Sequence, residues 1–423
     1  MDMMHRILLT LVLAVFTLNQ QHILAQDLDH DFVISMDGAW TWFNDERALI
    51  KEGRLYTSYV TSEGYVGMSV RDLDQNRAIH NPIHLSTWTE SDDHNNASLL
   101  FREDGKLMAF YAKHHTDKFT NYRVSLVEKP ESLADWGPEV VITSGTNHTY
   151  NNAFQLASMN GTIYNFSRTN GYNPNWKKYS ASGRELTPDT EFIRSGDDKT
   201  RPYVKYASNG KDRIDFFFTN GHPRKTDNNL YHMYFKGGSL YQTDGELIMS
   251  EAELPITVDQ VDKFYTFGDT SPTARPWTSS FNYSKEGHPV VTYSLQEDKN
   301  NIDYYYAYWD GSDNTWKHNY IADAGDALYD AERDYTGLVA LNPHNTNEIF
   351  MSANVNPISK MATEHYEMYR GLTADHGKTW DWMVMTSNSK EDNIRPFVPK
   401  GEKNANHVVL WLKGTYNTYT YYA

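Results

Sequence analysis

The chain has no cysteine among its 423 residues. Disulfides, thiolate zinc sites and a lipid anchor on cysteine are therefore excluded. Apart from one run near the start, no stretch is apolar enough to span a bilayer. Excess positive charge is missing too. Lys and Arg number 39 against 55 Asp and Glu, a formal net charge of −16. Nucleic acid and anionic membrane surfaces are thus disfavoured as partners. An anionic substrate remains compatible, because a local pocket of Arg, Lys and His can override the global field. After Asp27 there is also no long amphipathic helical pattern.

What is present is aromatic and strand-like. Aromatics make up 14% of the chain, with 30 Tyr, and 39% of residues are hydrophobic. A sizeable core is available. Tyr suits both sheet surfaces and sugar-facing clefts, since it joins an apolar body to a polar tip. The early apolar run, residues 7–18, follows Arg6 and precedes a small residue, Ala25. It reads as a secretion signal over residues 1–25, too short for a membrane span. The remaining domain, 27–423, is expected to be secreted or periplasmic.

Runs rich in Tyr, Val, Ile, Phe and Thr recur along that domain, at 54–60, 64–70, 106–112, 162–167, 213–219, 289–294, 303–309 and 407–412. Gly, Asn, Asp and Pro separate them, and Glu103-Asp104-Gly105-Lys106 and Asn160-Gly161 form hairpin turns. The spacing predicts an all-β single domain of repeats about fifty residues long, blade-sized for a β-propeller. A double β-sandwich is the alternative. The mature length divided by blades of about fifty-five residues gives seven blades, closed by 408–412 with 416–422 behind it. Thr373-Ala374-Asp375-His376-Gly377-Lys378-Thr379-Trp380 fits the Asp-box pattern, in which the Asp caps a turn, the Gly takes a left-handed angle and the Trp packs between blades. Segments 310–316 and 180–183 look like decayed copies. Arg201-Pro202-Tyr203, Arg275-Pro276-Trp277 and Arg395-Pro396-Phe397 form a second recurring element, each placed to open an inner strand.

Two clusters stand out chemically: Asp92-Asp93-His94-Asn95-Asn96, and Lys113-His114-His115 some twenty positions on. Both gather imidazole with acid or base groups at the edges of strands. Histidine is the side chain whose charge changes most readily near neutral pH.

Together with Arg201-Pro202-Tyr203-Val204-Lys205-Tyr206, Thr219-Asn220-Gly221-His222-Pro223-Arg224, Asn229-Leu230-Tyr231-His232-Met233-Tyr234 and Trp411-Leu412-Lys413-Gly414-Thr415-Tyr416, the Asp92 cluster resembles the BNR-repeat propellers that include the ulvan lyases. The resemblance spans nearly the whole mature chain. It implies a seven-bladed propeller that cuts a sulfated rhamnose–uronic acid polysaccharide by β-elimination. Such a reaction needs the uronate carboxylate neutralised, a base for the C5 proton and an acid for the leaving oxygen. By the resemblance, His94 matches the general base and His114 its partner or a substrate clamp. Tyr150 matches the catalytic tyrosine, as acid or as both acid and base, and Arg168 the neutralising arginine. Tyr203, Arg201 and His115 are carried over as substrate-binding residues. No cofactor is required for this chemistry. His222 and His232, ten residues apart across a hairpin, are a candidate pair for a structural zinc or calcium ion, with Asp227 or His288 as further donors. The expected partner is an anionic sulfated polysaccharide, with no nucleic acid or membrane, and the chain is expected to be a monomer. Two other readings share the fold: a glycoside hydrolase releasing rhamnose from glucuronic acid, and a non-catalytic sugar-binding propeller.

Overall fold

Alternating apolar and polar residues in runs of two to eleven build antiparallel sheets whose strands follow one another in chain order. In the computed structural model, the described residues are 32–195, 200–298, 300–329, 331–402 and 408–422. The secretion signal expected at 1–25 lies outside them. One compact unit runs from Asp37 to Ala423. No helix among the described residues is long and apolar enough to cross a membrane.

Among the described residues, six sheets have the blade arrangement. Their inner strands are Ala48–Lys51, Ser98–Phe101, Thr149–Leu156, Tyr203–Ser208, Arg275–Tyr283 and Val339–Asn342, and each is followed outward by three or more antiparallel strands. The fold is an all-β propeller, but of six blades rather than the seven expected. The sixth sheet ends at Val384, and among the described residues only Asp392–Phe397 paired with Leu410–Gly414 occupies the next place. Dividing length by blade size misjudged this because long connections between blades, such as 326–338, consume residues without adding strands. Tyr416–Thr418 and Tyr421–Tyr422 pair only with each other. The link back to the first blade is made earlier, where Ile50 N donates to Lys400 O at 2.8 Å.

Cores lie between neighbouring blades. Tyr56, Met68, Leu99 and Tyr111 fill the space between the first and second. Phe166, Trp176, Phe192 and Phe216 fill that between the third and fourth. Tyr304, Tyr306, Ile349 and Met351 fill that between the fifth and sixth. Each such side chain contributes about 1.5–3 kcal/mol on burial. The Asp-box forms as the pattern requires. Asp375 accepts from Thr379 N at 2.9 Å, Gly377 has φ +85°, and Trp380 meets Tyr306 of the adjacent blade at 5.7 Å. It joins the third and fourth strands of its blade, and segments 310–316 and 180–183 occupy the same turn of theirs.

The centre of the ring is filled by residues 39–47. Backbone buried there must find hydrogen-bond partners, and the inner strands supply them. Asn152 Nδ2 donates to Phe43 O at 2.9 Å and Arg395 to Trp40 O at 2.6 Å, while Asn44 of the segment itself donates from Nδ2 to His94 O and Asn96 O of the connection between the first two blades, both at 2.8 Å. Lys205 donates to Trp42 O and pairs with Asp45, both side chains being buried. Removing one partner of a buried pair leaves a charge without solvent. Lys205→Met should therefore lower stability by about 3–5 kcal/mol, read as an earlier urea midpoint. An unchanged midpoint would show that this pair does not hold the central segment.

Candidate functional site

Strand order places the candidate residues at one end of the ring. In each blade the inner strand begins, and the second strand ends, at the same end. Tyr150 and Tyr203 start inner strands, Arg168 closes a second strand, and His114 and His222 lie in loops after second strands. His94 sits in the connection between the first two blades, in a one-turn 3-10 helix capped by Asp92, whose carboxylate accepts from His94 N at 3.0 Å. The Asp-box turns lie at the opposite end.

His94 and His114 stack face to face, with centroids 3.9 Å apart and planes 9° from parallel. Asp92 bridges them. Its Oδ1 is 2.8 Å from His94 Nδ1 and its Oδ2 is 2.8 Å from His114 Nδ1. Asp93 Oδ1 also lies 2.8 Å from His94 Nδ1. Tyr150 adjoins His94 at 5.5 Å between ring centroids, and the Arg168 guanidinium lies 5.6 Å from the Tyr150 ring and 3.8 Å over that of Tyr203. The structure thus brings His94, His114, Tyr150, Arg168 and Tyr203 into one contiguous group.

The two imidazoles differ in charge. Burial disfavours a cation at His94, but the carboxylates of Asp92 and Asp93 outweigh it and push its pKa up to about 10. His114 is pushed down, by burial and then by the positive charge of His94, against the pull of Asp92. At neutral pH His94 is a cation and His114 is neutral. An ionised Asp92 accepts at both contacts, so His114 carries its hydrogen on Nδ1 and a lone pair on Nε2. A protonated His94 ring has no lone pair left to accept a proton, whereas the neutral His114 ring keeps one on Nε2. Burial, and next the neighbouring Tyr203, keep the Tyr150 phenol protonated well above its usual range, despite Arg168.

Tyr150 is held with φ +63°, a conformation that costs a β-carbon residue of order 1 kcal/mol or more. Two contacts fix it: His148 Nε2 donates to Tyr150 O at 3.1 Å, and Asn151 N donates to Asn44 Oδ1 at 3.2 Å. Burial holds His148 neutral, with its pKa down near 4. Its supporting role was visible only as its place two residues before Tyr150. Tyr419, edge-on to both histidines at 5.4 Å, carried no signal beyond a Tyr-rich tail.

Other expected residues lie apart from the stack. His115 turns its ring onto Tyr172, at 3.9 Å, and Arg201 donates to Thr200 O at 2.7 Å. Arg275 pairs with Asp227 at 2.9 Å, which takes that carboxylate from the expected metal set. His222 and His232 do not form a pair. His232 is fully buried on its strand, with Nε2 on Asp215 at 3.0 Å and Nδ1 on Thr243 at 2.8 Å, so neither nitrogen is open to an ion. His222 instead lies with Glu332 and Asp334, a donor group that could hold a divalent cation. Burial raises Asp334 to about 7. At the stack, both Nδ1 atoms are already spent on Asp92.

Residues 54–324 match the model of the BNR repeat-containing family. The fold is similar to that of a solved polysaccharide lyase, an ulvan lyase, with a TM-score of 0.63 at 14% identity over 90% of this chain and 95% of that one. It is likewise similar to an ulvan lyase bound to -[GlcA(1-4)Rha3S]-, with a TM-score of 0.61 at 13% identity over 91% and 94% of the two chains. At such identity the likeness is one of fold. No curated protein matches the sequence.

The histidine stack ties stability to pH. His94 is raised from 6.5 to about 10 on folding, so its contribution is complete below pH 6.5 and is lost as pH rises through 10. Asp92 and Asp93 are lowered from 3.8, so theirs is present above pH 3.8 and is lost on acidification. Denaturation between pH 6.5 and 10 should show stability falling in the native protein and a flatter slope in His94→Gln. Equal slopes would mean that His94 is not charged in the fold.

Proposed function

The chain belongs to the BNR repeat-containing family, and from that premise and the geometry of the stack we propose that it is a polysaccharide lyase, cleaving the bond to C4 of a uronic acid in a rhamnose–uronate polysaccharide of the ulvan type. The observation that carries the reading is two imidazoles stacked on a shared carboxylate, beside a buried tyrosine and an arginine. Arg168 pairs with the uronate carboxylate and makes the C5 hydrogen acidic. His114 Nε2 takes that proton, and the C5–H electrons form the C4–C5 double bond. The C4–O bond breaks, and the leaving oxygen takes the hydrogen of the Tyr150 hydroxyl. His94, as a cation, keeps His114 unprotonated and stabilises the negative charge that develops. Tyr203, under Arg168, is placed to contact the same uronate. Residues 1–25 serve as a secretion signal, which fits an enzyme meeting an extracellular polymer.

A hydrolase reading has one feature in its favour, the Glu332 and Asp334 carboxyl pair with Asp334 held partly protonated. The Asp334 side chain is only 2% exposed, however, and so is poorly placed to reach a glycosidic oxygen.

Incubation with ulvan, followed by ultraviolet absorbance, separates the two. A rise from unsaturated uronate ends is expected. Tyr150→Phe and His114→Ala should each lower kcat by about 10²–10⁴-fold, and Arg168→Ala should raise KM as well. Free rhamnose without absorbance would replace this reading with hydrolysis.

A further inference from the structure

The stack poses a problem of symmetry. Two imidazoles 3.9 Å apart share one carboxylate, Asp92, through equal contacts of 2.8 Å. With Asp92 alone, a proton shared by the pair has little reason to prefer one ring. Asp93 breaks the tie, because its Oδ1 is 2.8 Å from His94 Nδ1. That nitrogen carries a single hydrogen, already directed at Asp92. Asp93 therefore contributes charge to His94 rather than a second hydrogen bond.

That charge is fixed from the far end of the chain. Asp93 is fully buried. Its Oδ2 accepts from Arg395 Nη1 at 2.5 Å and from the Tyr416 hydroxyl at 2.7 Å. Arg395 is itself 1% exposed, stacked on Tyr416 at 4.2 Å and Trp42 at 5.1 Å, and bonded to Trp40 O. The phenols of Tyr150, Tyr329, Tyr335 and Tyr422 and the imidazole of His114 also lie within the electrostatic reach of Asp93. Around His94 the titratable neighbours are Asp92, Asp93, His114, Tyr150 and Tyr419.

We propose that Asp93 is a positioning residue that selects which histidine of the stack is charged. Asp92 sets the orientation of both rings, while Asp93, clamped by Arg395 and Tyr416, places the positive charge on His94 and leaves His114 free to act as base. The inference rests on the lyase reading for its catalytic meaning, but its physical content concerns the two histidines alone. Asp93 never meets substrate and acts through His94.

The test is a histidine titration by NMR on protein labelled with ¹⁵N and ¹³C in histidine, without substrate. In Asp93→Asn the His94 midpoint should fall by about one to three pH units, and that of His114 should rise as its charged neighbour is lost. Since Asp93→Asn leaves Arg395 buried without a carboxylate, the double variant Asp93→Asn with Arg395→Met removes both charges and should show the same direction of shift. In kcat/KM against pH, both variants should narrow the active range from both sides, an effect that mere loosening of the fold would not produce. Unmoved histidine midpoints in a folded double variant would overturn the proposal. Shifted midpoints in a protein whose native form is inactive on ulvan would uphold it and discard the lyase reading instead.

Discussion

The structure depends on a peptide buried where a propeller would otherwise be hollow. Residues 39–47 carry backbone donors and acceptors into the ring, and every one left unmet would cost about as much as a lost hydrogen bond. The inner strands meet that demand with long polar side chains aimed inward: Asn152, Lys205 and Arg395. Their polarity, puzzling in a core, follows from having a main chain rather than apolar side chains as neighbour. The same peptide supports the site, since Asn44 bonds the carbonyl of His94 and the backbone following Tyr150. Scaffold and chemistry share their hydrogen bonds.

Electrostatics then divides labour among similar groups. His94, His114, His148 and His232 are all largely buried, and burial alone would leave each neutral. His94 is the exception because two carboxylates converge on it, one of them fully excluded from water. His148 has hydroxyl and carbonyl partners and stays neutral. The chemical identity of each imidazole is thus written in its neighbours.

That explains what could and could not be read from the sequence. The all-β class, the blade repeat and the Asp-box were legible because they rest on local patterns: alternation, turn residues and an eight-residue motif that closes on itself. The blade number was not, because connections and strands cannot be told apart by length alone. The grouping of His94, His114, Tyr150 and Arg168 came from family likeness, and no spacing rule foretells that residues 74 positions apart will meet. Their electrostatics was out of reach, since His94 is held by Asp92 and Asp93 together, and Asp93 in turn by Arg395, 302 positions away. His232 was misread for a similar reason. Hairpin spacing suggested a partner in His222, while strand register handed it to Asp215, two residues beside its cross-strand neighbour Phe217.

The closure of the ring has a consequence for how the chain comes to life. The groups that complete the stack, Arg395, Tyr416 and Tyr419, are joined to the Asp92–His94 turn across more than three hundred residues. Contacts of such separation carry the largest loop-closure entropy and form late. Sheets of the early blades can assemble while the stack still lacks its charge and its cover. Assembly of the stack therefore coincides with the last docking step, so that a partly made chain carries the blades of the propeller but not the completed histidine stack.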